Sequence, residues 1–208
     1  MATNVSKNAA AGIRTFLGIE LPGNIRARLA EVTQALEAHR GALKLVSSEA
    51  FHVTVRFLGT VSPALLPRVE AAAQGSAVTC SAFSLRLSGL GAFPGGRRAA
   101  RVIWIGLVQD GGYETFRGLY DSTEKALEPL GFSREERAFS PHVTLARLRE
   151  GTTVAAGKEV AETVARLGRT LDLDVSFPVA HMTLFRSDLG PSGPRYTPLA
   201  RLALQGTA

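Results

Sequence analysis

At 208 residues, 45% apolar and 20% charged, the chain is long enough to bury a core of its own without disulfides or a structural metal. Its one cysteine, Cys80, excludes an internal disulfide and a cysteine-based zinc cluster. No apolar run approaches the ~20 residues of a membrane span, and the opening MATNVSKNAAAG lacks the apolar segment of a signal peptide. A soluble, cytoplasmic protein is therefore expected, with a disordered tail over 1–12. Lys plus Arg outnumber Asp plus Glu by 24 to 18, a net charge of +6, which favours an anionic partner such as nucleic acid or a phosphorylated metabolite. The groups Arg97, Arg98, Arg101 and Arg134, Arg137 are the first candidates for phosphate contacts.

In chain order, IRTFLGIEL from Ile13 reads as a strand, and Pro22 opens a helix whose Ile25, Leu29, Val32 and Leu36 recur at helical spacing. LKLV at 43–46 and HVTVRFL at 52–58 are β-rich. SPALLPRVEAAAQ is expected to form a helix capped by Ser62 with Pro63 at its first position. FSLRLSGLGAF at 83–93 and RVIWIGLV at 101–108 form a hairpin about the Pro-Gly-Gly turn at 94–96. Between Tyr113 and Leu130 a helical face carries Phe116, Leu119, Tyr120, Thr123 and Leu127 and ends at Gly131, suited to a C-cap. A strand PHVTLARL at 141–148, a helix near 157–168, strands near 170–176 and 179–186 and a last strand near 195–204 complete the chain. Helices and strands alternate irregularly, without a glycine-rich dinucleotide turn, so the class is α+β with mostly antiparallel sheets.

FHVTVRFL and PHVTLARL share His-Val-Thr-apolar, and their histidines, His52 and His142, stand 90 residues apart (142 − 52). Two half-domains, each giving one strand to a shared cleft, account for that echo. Alternation puts His52, Thr54 and Arg56 on one face and Val53, Val55 and Phe57 on the other, so Phe57 is read as core. In the second copy His142 and Thr144 share the cleft face, while Arg147 has the wrong parity unless a bulge intervenes. Two facing imidazoles can be held one protonated and one neutral, as paired acid and base catalysis requires, and the threonine hydroxyls reach the same depth. That layout suits in-line attack on a cyclic phosphodiester with no metal ion.

HVTVRFLG at 52–59 and SPHVTLARL at 140–148 resemble the paired signatures of the two-histidine phosphoesterases. The flanking RTFLGIELP, LGAFPGGRRAARVIWIGL and FRSDLGPSGPRYTPLARL resemble the RNA 2′,3′-cyclic phosphodiesterases, also called 2′-5′ RNA ligases. The resemblance implies one bilobal, pseudo-two-fold-symmetric domain over 13–208, with sheets facing a central cleft and helices outside. It implies hydrolysis of RNA 2′,3′-cyclic phosphate ends, tRNA halves among them, to 2′-phosphates, with ATP-independent 2′-5′ joining in some members and no cofactor. Carried onto this chain, His52 is the proton donor and His142 the acceptor. Thr54, Thr144, Arg56, Arg147 and Arg186 are the substrate-binding candidates, and a monomer is expected.

Two further histidines belong outside this scheme. His181 repeats His-x-Thr in HMTLF and is read as structural or peripheral rather than as part of a three-histidine metal site, and His39, near the end of the first helix, is read as solvated. The rival functions are a phosphodiesterase for small cyclic nucleotides or 2′-5′ oligoadenylates, and a non-catalytic RNA-binding module. Strong salt dependence would mark an RNA enzyme, and insensitivity to loss of His52 a binding module.

Overall fold

The computed structural model describes residues 12–93, 101–190 and 193–206. Residues 1–11 of the expected tail over 1–12, the turn at 94–96, Arg97 and Arg98 lie outside the described residues. Among the described residues nine strands and four α-helices run in the order β1 (Ile13–Glu20), α1 (Gly23–Ala35), β2 (Leu43–Leu45), β3 (His52–Val61), α2 (Leu66–Ala77), β4 (Phe83–Phe93), β5 (Val102–Leu107), α3 (Gly111–Leu127), β6 (His142–Leu148), α4 (Val154–Thr170), β7 (Val175–Val179), β8 (His181–Gly190) and β9 (Gly193–Ala203). The expected hairpin is present as the antiparallel pair β4 and β5.

Three boundaries differ from the sequence reading. The helix expected from Ser62 begins at Leu66, because Ser62–Leu65 closes a separate turn and Pro67, not Pro63, occupies the first helical turn. The strand expected over 170–176 is displaced to Val175–Val179, since α4 continues to Thr170. The helix after Asp110 starts earlier than Tyr113 because the Asp110 carboxylate accepts from the backbone N–H groups of Gly112 and Tyr113. Past α3 a short 3-10 turn ends at Gly131, whose φ of 91° is left-handed and suits only glycine without strain.

The strands form one continuous sheet, β7-β4-β5-β6-β3-β1-β8-β9, with β2 also paired to β6. Every strand pairing in it is antiparallel. Its centre is the pairing of β3 with β6 through Val53 and Val143, which sets His52 toward Thr144 and Thr54 toward His142. The sheet therefore reads outward from a pseudo-two-fold axis: β3-β1-β8-β9 on one side and β6-β5-β4-β7 on the other.

The faces divide by chemistry. Val53, Val55, Leu58, Val143 and Leu145 are buried in one core with Phe116, Leu119 and Leu127 of α3 and Val69 and Ala73 of α2. A second core joins Val160, Val164 and Leu167 of α4 to Ile103, Ala146 and Leu43. Each such large apolar side chain contributes roughly 1.5–3 kcal/mol by leaving water. His39 departs from its expected solvated state: its Nε2 lies 2.9 Å from Thr163 Oγ1, tying the end of the first helical segment to α4.

Candidate active site

The opposite face carries a cleft of about 530 Å³ lined by His52, Thr54, His142 and Thr144 together with Phe57 and Arg147. Both histidines are held in the same way. His52 Nδ1 lies 2.8 Å from the Ala50 carbonyl and His142 Nδ1 2.8 Å from the Ser140 carbonyl, in each case two residues back. A carbonyl only accepts, so each Nδ1 carries the proton, and in the neutral ring Nε2 is the basic nitrogen left for the cleft. Thr54 Oγ1 stands 3.1 Å from His52 Nε2 and donates to it while the ring is neutral.

The two rings sit in different surroundings. Phe16 lies 4.7 Å from the His52 ring and Tyr196 meets it edge-on at 4.9 Å, with Phe185 stacked behind Phe16. That burial lowers the His52 pKa below 6.5, against the opposing hydrogen bond to Ala50, and the electrostatic influence of the neighbouring His142 and Arg147 lowers it further. His142 faces Phe93 at 5.6 Å and Trp104 at 6.3 Å.

Bulges decide which neighbours join the histidines. Along β3, Leu17 pairs with Arg56 and Gly18 with Thr54, leaving Val55 unpaired. Along β6, Ile103 pairs with Ala146 and Trp104 with Thr144, leaving Leu145 unpaired. One extra residue after each threonine inverts the alternation beyond it. Arg147 consequently turns into the cleft, and so does Phe57, which is 54% exposed and not core. Phe57 and Arg147 occupy equivalent places in the two halves.

The same bulge removes Arg56 from the cleft face expected of it: its guanidinium pairs with Glu124 of α3, both side chains nearly buried. Arg186 is likewise outside the cleft. Phe185, one residue earlier, faces Phe16, so alternation turns Arg186 to the other side, where it donates to Asp188 at 2.9 Å. Arg134 and Arg137 are engaged locally by Glu128 and Glu135. His181 is exposed at the start of β8 and does not line the cleft.

Sequence reasoning missed Lys44 and Tyr196, which also line the cleft. Lys44 pairs in register with Arg147 across β2 and β6, a neighbour relation visible only once the strands are paired. Tyr196 lies in PRYTPL, a stretch noticed for its resemblance and not for a role.

A cleft with two inward imidazoles, two hydroxyls and a cation, on a pseudo-symmetric antiparallel sheet, defines a phosphoester-processing site of the two-histidine kind. The model of the 2′-5′ RNA ligase superfamily matches residues 21–191, and the chain belongs to that family. Among its relatives are the RNA 2′,3′-cyclic phosphodiesterases of Aeropyrum pernix, 36% identical over 83% of this chain and 92% of the relative, and of Methanothermobacter thermautotrophicus, 30% identical over 89% and 95%. Of solved structures, Escherichia coli LigT complexed with 3′-AMP superposes with a TM-score of 0.69 at 26% identity, over 93% of this chain and 98% of that one.

Proposed function

We propose that this chain opens 2′,3′-cyclic phosphate ends of RNA to 2′-phosphates, with His52 as proton donor and His142 as proton acceptor. The observation that carries the use of this pair is the matched set of Nδ1-to-carbonyl bonds, which leaves both Nε2 atoms for one cleft; which ring donates follows the family resemblance. His142 Nε2 takes a proton from water as its oxygen bonds to phosphorus. The bond from phosphorus to O3′ breaks, and His52 Nε2 delivers its proton to that leaving oxygen. The products are a free 3′-hydroxyl and a 2′-phosphate, and the two histidines have exchanged protonation states.

Protonation of His52 Nε2 releases the Thr54 hydroxyl proton to a non-bridging oxygen, and the Thr144 hydroxyl lines the same cleft beside His142. Arg147, unpaired among the described residues, supplies positive charge to the phosphate. Arg56 and Arg186 drop out as binding groups on their observed ion pairs. A 5′-hydroxyl in place of water as the group attacking the cyclic phosphate runs the same proton transfers, breaks the same bond to O3′ and leaves a 2′-5′ joint. All four His and Thr side chains come from one chain, which supports action as a monomer, and we place that action in the cytoplasm on cleaved RNAs such as tRNA halves.

The test is hydrolysis of a short RNA ending in a 2′,3′-cyclic phosphate, in EDTA, followed by ³¹P NMR of the product. A 2′-phosphate is expected, with His52→Ala and His142→Ala each slower by about 10²–10⁴-fold and unchanged in circular dichroism. A 3′-phosphate product, or a folded variant with undiminished rate, overturns the assignment.

A further inference from the structure

Beyond its bulge, β3 sends Arg56 toward α3 and toward the segment 131–141, which has no helix or strand of its own and leads directly into His142. Arg56 Nε lies 2.5 Å from Glu124 Oε1, with side-chain exposures of only 12% and 6%. The same guanidinium donates to the Ser133 carbonyl and stands 3.8 Å from Glu135. Glu124, in turn, accepts the backbone N–H of Glu135 at 3.0 Å. One buried ion pair thus grips the segment at two backbone points. Farther on, Phe139 stacks on Tyr120 at 4.3 Å and meets Phe116 edge-on at 5.4 Å. The next residue is Ser140, whose carbonyl receives the His142 Nδ1 proton.

Among the described residues the first half has no counterpart to this grip. The carbonyl that holds His52 belongs to Ala50, within a 3-10 turn closed by its own bond from Ala50 N–H to the Ser47 carbonyl at 2.9 Å. The position equivalent to Arg56 is Ala146, which is buried and carries no charge. His142 therefore depends for its orientation on a segment with no regular structure, and a side chain from the other signature strand holds that segment.

We propose that Arg56 is a positioning residue: through Glu124 and Ser133 it fixes the 131–141 segment so that the Ser140 carbonyl keeps His142 in the Nδ1–H tautomer. Neutral imidazole has two tautomers, and only the one with an unprotonated Nε2 can take a proton in the cleft. If the Ser140 carbonyl shifts, the Nε2–H form is populated, and in that form the nitrogen facing substrate is a donor. The consequence for catalysis rests on the reading of His142 as proton acceptor; the consequence for the tautomer does not.

The experiment reads both. At a pH well above the ordinary imidazole range, ¹⁵N-correlated spectra of the labelled protein, assigned with His142→Ala, are expected to show His142 as the Nδ1–H tautomer alone. Arg56→Met is expected to give a tautomer mixture and a kcat about 10–100-fold lower, with KM for the cyclic-phosphate RNA little changed. Arg56→Lys keeps the charge on Glu124 but cannot fork to Ser133, and restores part of both readouts. Should Arg56→Met fail to fold, Glu124→Gln, which removes the charge while keeping the shape, is expected to give the same mixture. An unmixed Nδ1–H signal with wild-type kcat in a folded variant overturns the proposal. A mixed tautomer with undiminished kcat overturns instead the role of His142 as acceptor.

Discussion

In the role proposed for it the ring of His52 meets opposing demands: a proton donor must arrive charged, yet Phe16, Phe185 and Tyr196 surround it with apolar rings that favour the neutral form. Its pKa lies below 6.5 in the free protein for that reason. The sign for catalysis follows directly. In kcat/KM, which reports the free enzyme, activity falls as pH rises through the lowered His52 pKa, so the alkaline limb begins below 6.5. An anionic phosphate in the cleft offsets the burial and the repulsion from Arg147, raising the pKa of the bound state, so the alkaline limb of kcat lies at higher pH. Rate profiles from about pH 4.5 to 9 with a cyclic-phosphate dinucleotide compare the two limbs. Coincident limbs above 6.5 would remove His52 as the donor. At this scale the sequence was informative: the repeated His-Val-Thr named both histidines and both threonines. The difference between the two rings was not legible, because it arises from Phe16, Phe185 and Tyr196 on strands distant in sequence.

At the scale of elements, strict alternation assigned Arg56 to the cleft, Phe57 to the core and Arg147 to the wrong face, and one unpaired residue in each signature strand reversed all three. Val55 and Leu145 look like ordinary strand residues. A bulge is a property of pairing, here with β1 and β5, and neither register could be read from the motif alone. The helices were easier, since Ile25, Leu29 and Val32 or Phe116, Leu119 and Leu127 mark a buried face within a single segment. Phe57 gives the relocated side chains a measurable consequence. More than half exposed beside the His52 and Thr54 pair, its ring is free to stack on a nucleobase. Such stacking is worth roughly 1–3 kcal/mol per base on truncation to alanine, about 5- to 150-fold in affinity. Phe57→Ala is therefore expected to raise KM for cyclic-phosphate RNA within that range while leaving thermal stability nearly unchanged. A drop in melting temperature with unaltered KM would return Phe57 to a packing role.

For the whole molecule, the net charge of +6 indicated an anionic partner without indicating where it binds. The structure narrows the question, because several of the expected phosphate contacts are occupied: Arg134 by Glu128, Arg137 by Glu135, Arg186 by Asp188 and Arg56 by Glu124. Of the cations lining the cleft, Arg40 is paired with Glu37, whereas Lys44 and Arg147 have no ion pair among the described residues and sit side by side on β2 and β6. Two adjacent free cations suit two successive phosphates of a single strand, the cyclic one at the end and the one before it. Counterion release on single strands contributes a log–log salt slope of about −0.7 per phosphate neutralised. The kcat/KM for a cyclic-phosphate oligonucleotide should then fall with a slope near −1.4, and that for a mononucleotide 2′,3′-cyclic phosphate near −0.7. Equal slopes for the two substrates would mean that binding ends at the first phosphate and would favour a small cyclic nucleotide as the substrate. A steeper slope for the oligonucleotide identifies the wall formed by β2 and β6 as the path of the strand leaving the histidines, with Lys44→Ala expected to bring the two slopes together.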